Sequence, residues 1–167
     1  MAPITPLRLS RGERGAALVE FALVLPLLLV VIAGVVDFGF LFQRYEVVTN
    51  AAREGARLAS LPSYNGQTAL IRAHVRNYVQ QGLALSTAAL NATVPNTAAG
   101  VDITNVTLSY TANGGTYQIP AVSVTVNYNH TFLLLGPVLG LIGGTWGNSM
   151  NIVGFSQMRL EAAGTGS

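Results

Sequence analysis

The sequence predicts an α+β protein in which a long N-terminal membrane-spanning helix continues into a small extracytoplasmic domain with a second helix and a three- to four-stranded antiparallel sheet. Three observations predict this fold class. Residues 16–42 are almost entirely apolar and carry two charges, at Glu20 and Asp37. Apolar residues then recur at helical spacing to about residue 61, and from Val106 onward the period changes to two, which is typical of strands. Such a sheet needs a helical layer over its apolar face, which the second helix and the far end of the long helix supply.

The composition excludes several classes of protein. Half of the 167 residues are apolar and 10% are charged, against roughly 25% in a typical soluble domain. All nine basic residues are Arg and the net charge is +2, which is too small and too scattered for a nucleic-acid-binding surface. The chain has no Cys and two His residues, which excludes disulfides, a thiolate or His-rich metal site and a Cys nucleophile. No catalytic motif is present, so we expect no enzyme activity, metal, cofactor, nucleic acid or small-molecule substrate.

The apolar segment at residues 16–42 is long enough to cross a bilayer. As a helix it measures about 40 Å at 1.5 Å per residue, and the core of a bilayer is about 30 Å thick. Glu20 and Asp37 lie about 25 Å apart along this helix, so each can lie near one interface. Two alternatives are a Sec signal peptide cleaved after Ala33, which leaves Gly34 as the first residue, and a buried helix of a soluble protein.

The orientation follows from the length of the parts that flank the segment. Near its two ends the Arg residues are equal in number, since Arg8, Arg11 and Arg14 come before it and Arg44, Arg53 and Arg57 are the first three that follow it. Long domains translocate largely regardless of their charge. We therefore expect a short basic N-terminus inside the cell and the long domain outside.

The N-terminal half divides into three parts. Residues 1–15 form a basic leader without apolar periodicity, and residues 16–42 form the transmembrane part of a helix that continues to about residue 61. Pro26 is expected to kink this helix and Pro62 to end it. Residues 43–82 make the helical part of the domain. Its first helix has an apolar stripe at Val48, Ala51, Ala52, Gly55, Leu58 and Ala59, with an ion pair between Glu54 and Arg57 on the other side.

The second helix is predicted over residues 66–81, with Gly82 as the residue that follows its C-terminus. Arg72 and Arg76 are four residues apart and are expected on its solvated side. The residues of its buried face are Ile71, Val75, Tyr78 and Val79.

Residues 83–167 are predicted to form a loop and the sheet. The loop covers residues 83–100 and holds at most one helical turn. Strands at residues 106–111 and 122–128 flank the hairpin signal Asn113-Gly114-Gly115, and Pro120 breaks the phase just before the second strand, as a bulge or a strand start would. A last strand is expected over residues 149–161, followed by a Gly/Thr/Ser tail.

An apolar run at residues 132–142 interrupts the sheet region. It is too short to span a bilayer. Together with Trp146 nearby, it is either a loop that covers one edge of the core or a surface that touches lipid or a partner subunit.

The head of the long helix carries the most specific motif. A basic leader ends in Gly15, and an apolar helix begins at Ala16 with a single acid at its fifth residue, Glu20, followed by Phe21. This arrangement resembles the class III signal of type IV prepilins, which a membrane aspartic peptidase cuts after the Gly. The chain as a whole resembles the TadE-like family of tight-adherence (Flp) pilus systems. The matching pieces are GAALVEFALVLP at residues 15–26, VDFG at 36–39, TNAAREGARLAS at 49–60, the Val-rich strand at 122–128 and MRLE at 158–161.

The resemblance implies a pilin-like fold and a structural function. It implies a minor pilin or pseudopilin that helps to assemble a tight-adherence type IV pilus and contributes to adhesion. The implied partners are membrane lipid, a prepilin peptidase, other pilins or pseudopilins, and the pilus assembly platform. The implied location is the bacterial inner membrane, with a single pass, a cytoplasmic N-terminus and a domain in the periplasm or on a surface pilus. The alternative function is a membrane-tethered or secreted binding domain with an ordinary Sec signal.

Cleavage between Gly15 and Ala16 has a physical consequence for Glu20. It leaves a free amine about 7 Å along the helix from that carboxylate. A carboxylate within an apolar segment costs several kcal/mol unless it is paired, and this amine, or that of a neighbouring chain, is a suitable partner. The resemblance assigns the registration of one subunit against the next to Glu20, with Phe21 beside it. The alternative for Glu20 is an interfacial acid that the helix dipole favours.

Asp37 and a group of small residues are the other candidates. Three alternatives exist for Asp37: an ion pair with Arg44, a contact with a partner helix, or solvation near the outer interface. Small residues let helices approach closely, and the chain's own sheet is the default neighbour, with a helix of another pilin as the alternative. The small residues in question are Gly39, Ala52, Gly55 and Ala56.

Overall fold

The computed structural model describes residues 11–141 and 148–161 and confirms the predicted α+β class. The elements, in chain order, are α1 (Arg11–Ser60), a 3₁₀ turn (Pro62–Tyr64), α2 (Thr68–Gly82), α3 (Thr87–Thr93), β1 (Val101–Ala112), β2 (Gly115–Thr131), α4 (Leu135–Leu141) and β3 (Ser149–Arg159). Most of the predicted leader, Trp146 and the predicted C-terminal tail lie outside the described residues. The chain forms two compact units, which we call the anchor unit (residues up to Phe38, with Phe132–Asn148) and the sheet unit (Gly39–Thr131, with Ser149 onward).

Helix α1 is 50 residues long and begins five residues before the predicted start at residue 16. Pro26 lies inside it without ending it, and the helix stops at Ser60, just before Pro62. Within the part of the chain that the structure describes, α1 is the one helix long and apolar enough to cross a membrane. Its large apolar side chains in the anchor unit are exposed, with Leu18 at 70%, Leu23 at 75% and Leu27 at 67%.

The described strands form one antiparallel sheet in the order β1-β2-β3. The register of β1 and β2 closes at Ala112 opposite Gly115, and the turn between them has positive φ at both Asn113 and Gly114, 50° and 77°. Positive φ at both central residues is the type I′ geometry that matches the twist of a hairpin. The predicted hairpin is confirmed, and both of its strands are longer than the sequence pattern indicated.

Strand β3 pairs only with residues 121–131 of β2, so the hairpin extends beyond it. Tyr110 and Tyr117 face each other on that extension, with stacked rings whose centroids are 5.3 Å apart. Pro120 lies at the point where pairing with β3 stops, and it accepts a bond from the Leu160 N–H at 2.9 Å. The expectation of a bulge or strand start at Pro120 is wrong, because the β1–β2 register runs through it without a break. In a strand, the nitrogen and the carbonyl of one residue point to the same side. The carbonyl of Pro120 faces the end of β3, so its nitrogen, which has no hydrogen, faces the same way and the hydrogen bonds between β1 and β2 are not interrupted.

The core of the sheet unit lies between α1, α2 and the sheet. The predicted stripe on α1 is confirmed, since all six of its residues are buried. From α2 the core takes Ile71, Val75 and Val79, and from β2 it takes Val122, Val124, Val126 and Tyr128. Tyr78 departs from the prediction because it is 39% exposed and lies beside the buried face of α2 rather than on it.

Three glycines bring backbones together within the sheet unit. A Cβ on Gly154 of β3 would lie 2.5 Å from the backbone oxygen of Val48, and one on Gly82 would lie 2.8 Å from a methyl group of Val47. Gly82 is therefore the last residue of α2, placed where it approaches α1, and not the residue after the helix. A Cβ on Gly55 would lie 2.5 Å from Val75, so α1 also approaches α2 closely at that point.

Residues 83–100 contain more structure than the predicted single turn. Helix α3 spans seven residues, and Ser86 caps its N-terminus by accepting a bond from the Ala89 N–H at 3.2 Å. Arg72 and Arg76 are half-buried, where solvated positions were expected. The Nε–H of Arg72 donates to the Val101 carbonyl at 3.1 Å and that of Arg76 to the Val94 carbonyl at 3.0 Å. These two bonds connect α2 to the segment between α3 and the start of β1.

Candidate functional site

The head of α1 presents the predicted processing and registration residues to the surroundings. Gly15, Ala16, Glu20 and Phe21 are all exposed on a regular helix. No atom lies within 4 Å of the position where a Cβ on Gly15 would be. The helix was expected to begin at residue 16, whereas α1 already begins at Arg11. A peptidase that cuts after Gly15 would have to unwind this first turn, and a glycine weakens a helix by about 1 kcal/mol relative to alanine.

Asp37 is fully buried, at 0% exposure, and this distinguishes it from Glu20. Its carboxylate accepts bonds from three successive backbone N–H groups of the anchor unit. The Leu133 N–H donates to Oδ1 at 3.1 Å, and the N–H groups of Leu134 and Leu135 donate to Oδ2 at 3.0 and 2.7 Å. Solvation near the outer interface, one of the three alternatives for Asp37, is therefore wrong.

These three donors belong to the start of α4, which begins at Leu135. The first N–H groups of any helix have no partner within the helix, and a carboxylate also interacts favourably with the positive end of the helix dipole. Asp37 therefore caps α4 from a position 98 residues away in the chain. At the base of the same segment, the Phe132 N–H donates to the Asn148 carbonyl at 3.0 Å and closes the loop.

Arg44, the predicted ion-pair partner of Asp37, has its described hydrogen bond in the sheet unit. Its Nη1 donates to His130 Nδ1 at 2.6 Å, and its guanidinium lies 5.6 Å from the centre of the Phe40 ring. Because Arg can only donate, Nδ1 of His130 accepts and the ring proton of neutral His130 is on Nε2. His130 is fully buried. Sequence reasoning did not connect these two residues, which are 86 positions apart.

Arg44 also influences Tyr128 on the same strand as His130. Burial raises the pKa of the Tyr128 hydroxyl above its ordinary value of 10.0, and the Arg44 guanidinium counteracts part of this rise through its charge and a hydrogen bond. Tyr128 is a buried core residue, and a buried Tyr hydroxyl usually has a polar partner, which Arg44 provides here.

The small residues of α1 pack within the chain's own fold. Ala52 and Ala56 are fully buried in the core, and Gly55 is buried between α2 and β2, with Val75 and Val124 as its neighbours. The default neighbour that the sequence analysis gave, the chain's own sheet, is therefore the observed one. Gly39 differs, because it is exposed and has open space where a Cβ would lie.

The predicted Glu54–Arg57 ion pair is present, with Arg57 Nη2 2.7 Å from Glu54 Oε1.

The sheet unit also has an apolar groove of about 270 Å³. Leu41, Phe42 and Tyr45 of α1 line one side, and residues 150–153 of β3 line the other. Across residues 11–141 and 148–161, no group of three or more His, Asp or Glu side chains is placed to hold a metal ion.

The comparison with known proteins agrees with the features of α1. The model of the family described as TadE-like protein matches residues 15–57. This segment begins at the predicted processing residue Gly15, includes Glu20 and Asp37, and ends at Arg57, just after the buried Gly55 and Ala56. No curated protein and no solved structure matches the chain significantly. The predicted resemblance to the TadE-like family is thus confirmed over residues 15–57.

Proposed function

We propose that this protein is a TadE-like minor pilin or pseudopilin, a structural and assembly component of a tight-adherence (Flp) type IV pilus that contributes to adhesion. The family suggests a protein associated with this pilus. The observation that carries the proposal is the exposed apolar surface of α1 within the matched segment, with one exposed acid, Glu20, near its head.

The apolar surface of α1 needs a non-aqueous environment. Soluble monomers rarely expose apolar patches of more than a few hundred Å², whereas α1 exposes large apolar side chains on all sides from Leu18 to Val36. A bilayer and, in a filament, the helices of sister subunits provide such an environment. This supports a single-pass protein of the bacterial inner membrane with a cytoplasmic N-terminus and an extracytoplasmic sheet unit.

Processing by a prepilin peptidase would cut between Gly15 and Ala16. The two residues lie within the first turns of α1, where helices unwind most easily, and both are accessible. The ordinary Sec alternative requires cleavage after Ala33, which is 3% exposed within a continuous helix and lies one turn before the buried Asp37. The accessibility of Gly15 supports the first site, whereas cleavage at the second would remove residues 15–33 of the segment that the family model matches.

Registration in the filament would depend on Glu20 and Phe21. Both side chains project from the helix surface, so a neighbouring subunit can reach them. A new amine at Ala16, on the same chain or on the next, would neutralise the Glu20 carboxylate within the apolar layer and fix the axial offset between subunits. Other pilins or pseudopilins and the assembly platform are the partners in this scheme.

Mass spectrometry of the protein purified from membranes tests the processing step. We expect a mature N-terminus at Ala16 in cells that contain the prepilin peptidase and the full-length chain in cells that lack it. A mature N-terminus at Gly34 would instead support a secreted binding domain and would contradict the proposal.

A matched pair of variants tests registration. We expect Glu20→Ala to insert into the membrane normally and to reduce the number of surface pili. Glu46→Ala removes an exposed acid from the same helix outside the apolar segment and is expected to leave piliation unchanged. Normal piliation in Glu20→Ala would contradict the registration role.

A further inference from the structure

The anchor unit contains a second exposed apolar element besides α1. Residues 132–141 follow β2 and include α4, and Leu133 is 64% exposed. The wider stretch of residues 103–158 contains no Asp, Glu, Lys or Arg. An uncharged segment with exposed leucines is unfavourable in water, because exposing an apolar side chain costs about 25 cal/mol for each Å².

The bond to Asp37 determines where along α1 this segment begins. Asp37 lies five residues before the end of the apolar stretch at residues 16–42, which corresponds to about 7.5 Å of helix. Its neighbours on α1, Val36 and Phe38, are apolar and exposed. When α1 spans a bilayer, Asp37 and the amides that bind it therefore lie at a level where the surroundings are still apolar.

At that level the Asp37 carboxylate and the N–H groups of residues 133–135 each provide the hydrogen-bond partner that the other lacks. A carboxylate in the apolar layer must be paired, since its burial alone costs several kcal/mol. The first N–H groups of α4 must also be satisfied, because lipid offers them no acceptor and every backbone polar group in the apolar layer needs a partner within the protein. In water the requirement would be weaker, since solvent could satisfy the carboxylate and the amides if the segment moved away from α1.

We propose that residues 132–141 form a second lipid-embedded segment, which enters the outer leaflet beside α1 and is held there by Asp37. The proposal rests on the membrane anchoring proposed above. Lipid is the occupant that the structure favours, because the exposed Leu133 belongs to the same unit as the exposed apolar residues of α1 around Asp37 and continues their uncharged surface. The protein would thus contact the membrane at two points of its sequence.

The chain is suited to site-directed spin labelling because it contains no cysteine. A single cysteine would be introduced at Leu133, at Leu27 as the reference within α1, or at Asn113 as the reference at the exposed hairpin turn. The labelled full-length protein is reconstituted into phospholipid vesicles, and the collision rates of each label with oxygen and with a water-soluble nickel chelate are measured. We expect the Leu133 label to resemble the Leu27 label, with high oxygen and low nickel accessibility.

The possible results separate this proposal from the anchoring itself. Nickel accessibility at Leu133 equal to that at Asn113, with lipid-like behaviour at Leu27, overturns the lipid-embedded segment alone. Low accessibility to both reagents at Leu133 overturns it in favour of a contact with a second copy. Water-like behaviour at Leu27 overturns the anchoring and this proposal together.

The role of Asp37 is tested in the same system. In Asp37→Leu the amides of residues 133–135 lose their acceptor, and we expect the nickel accessibility of the Leu133 label to rise toward that of Asn113. Asp37→Asn keeps one acceptor oxygen and is expected to give a smaller rise. An unchanged Leu133 label in Asp37→Leu would contradict the role of Asp37 in holding the segment at depth.

Discussion

Replacing Gly154 by alanine tests the close approach of β3 to α1 in the sheet unit. The added Cβ would lie 2.5 Å from the Val48 backbone oxygen and 2.8 Å from its carbonyl carbon, whereas ordinary contact begins at 3.4 Å. The strand or the helix must therefore move by about 0.9 Å, and neither neighbour is a flexible side chain. Val48 is fully buried, so the shift must spread through the core.

The expected cost lies at the upper end of the range for overpacking, about 3 kcal/mol. For a protein of this size, each kcal/mol lowers Tm by roughly 2–4 °C, so we expect Gly154→Ala to unfold about 6–12 °C below the wild type. Near-ultraviolet circular dichroism of the full-length protein in detergent micelles follows the loss of packing around the aromatic side chains. The measurement reports on the sheet unit, to which Gly154 and Val48 both belong.

Gly39→Ala is the matched control, because it adds the same methyl group to α1 where nothing lies within 4 Å. It is expected to leave Tm unchanged or to raise it slightly, since alanine favours a helix. A Gly154→Ala variant as stable as Gly39→Ala would refute the packing argument and show that β3 does not approach the backbone of α1.

Three further predictions concern electrostatics and the hairpin. Arg44→Met removes the charge that opposes the effect of burial, so we expect the pKa of Tyr128 to rise further above 10.0 in an ultraviolet pH titration, and an unchanged midpoint would contradict this. Because the unfolded state loses the Tyr128 proton at a lower pH than the folded state, the free energy of unfolding falls as the pH rises above about 10. The hydrogen bond from Arg57 lowers the pKa of Glu54 below 4.5, so the small stabilisation by this ion pair is present at neutral pH and is lost as the pH falls below 4.5. Arg57→Gln should return the pKa of Glu54 toward 4.5 in a carboxyl NMR titration. Tyr110→Ala changes a half-exposed residue beyond the end of β3, so we expect Tm to fall by the equivalent of no more than about 1 kcal/mol, and a larger loss would place the hairpin extension within the folding core.

Elements that depend on local sequence were predictable. The stripe on α1 follows from apolar residues at helical spacing, and residues such as Val48 and Ala59 are buried as the pattern requires. The hairpin turn follows from Asn113 and Gly114, because these residue types tolerate positive φ. In both cases the signal and the structure lie within a few residues of each other.

The contacts between distant segments were not predictable from one sequence. Asp37 is bonded to amides 96 to 98 positions later, and no local pattern marks a backbone N–H as a donor for a distant carboxylate. The available hint was indirect, since α4 begins in an apolar run without a local capping side chain such as Ser or Asp. Gly82 illustrates a related error, because a glycine at a helix end suggests a cap when its actual role is the close approach to Val47.

The order of the elements in the chain has a consequence for biogenesis. The core of the sheet unit rests on α1, which is synthesised first, whereas β3, which places Ile152 in that core, is synthesised last among the described elements. The Glu161 N–H then bonds to the Ser60 carbonyl at 2.9 Å, so the end of the described chain returns to the end of α1. A nascent polypeptide therefore carries an open apolar surface until β3 has been synthesised, and the chain is most prone to aggregation during this interval.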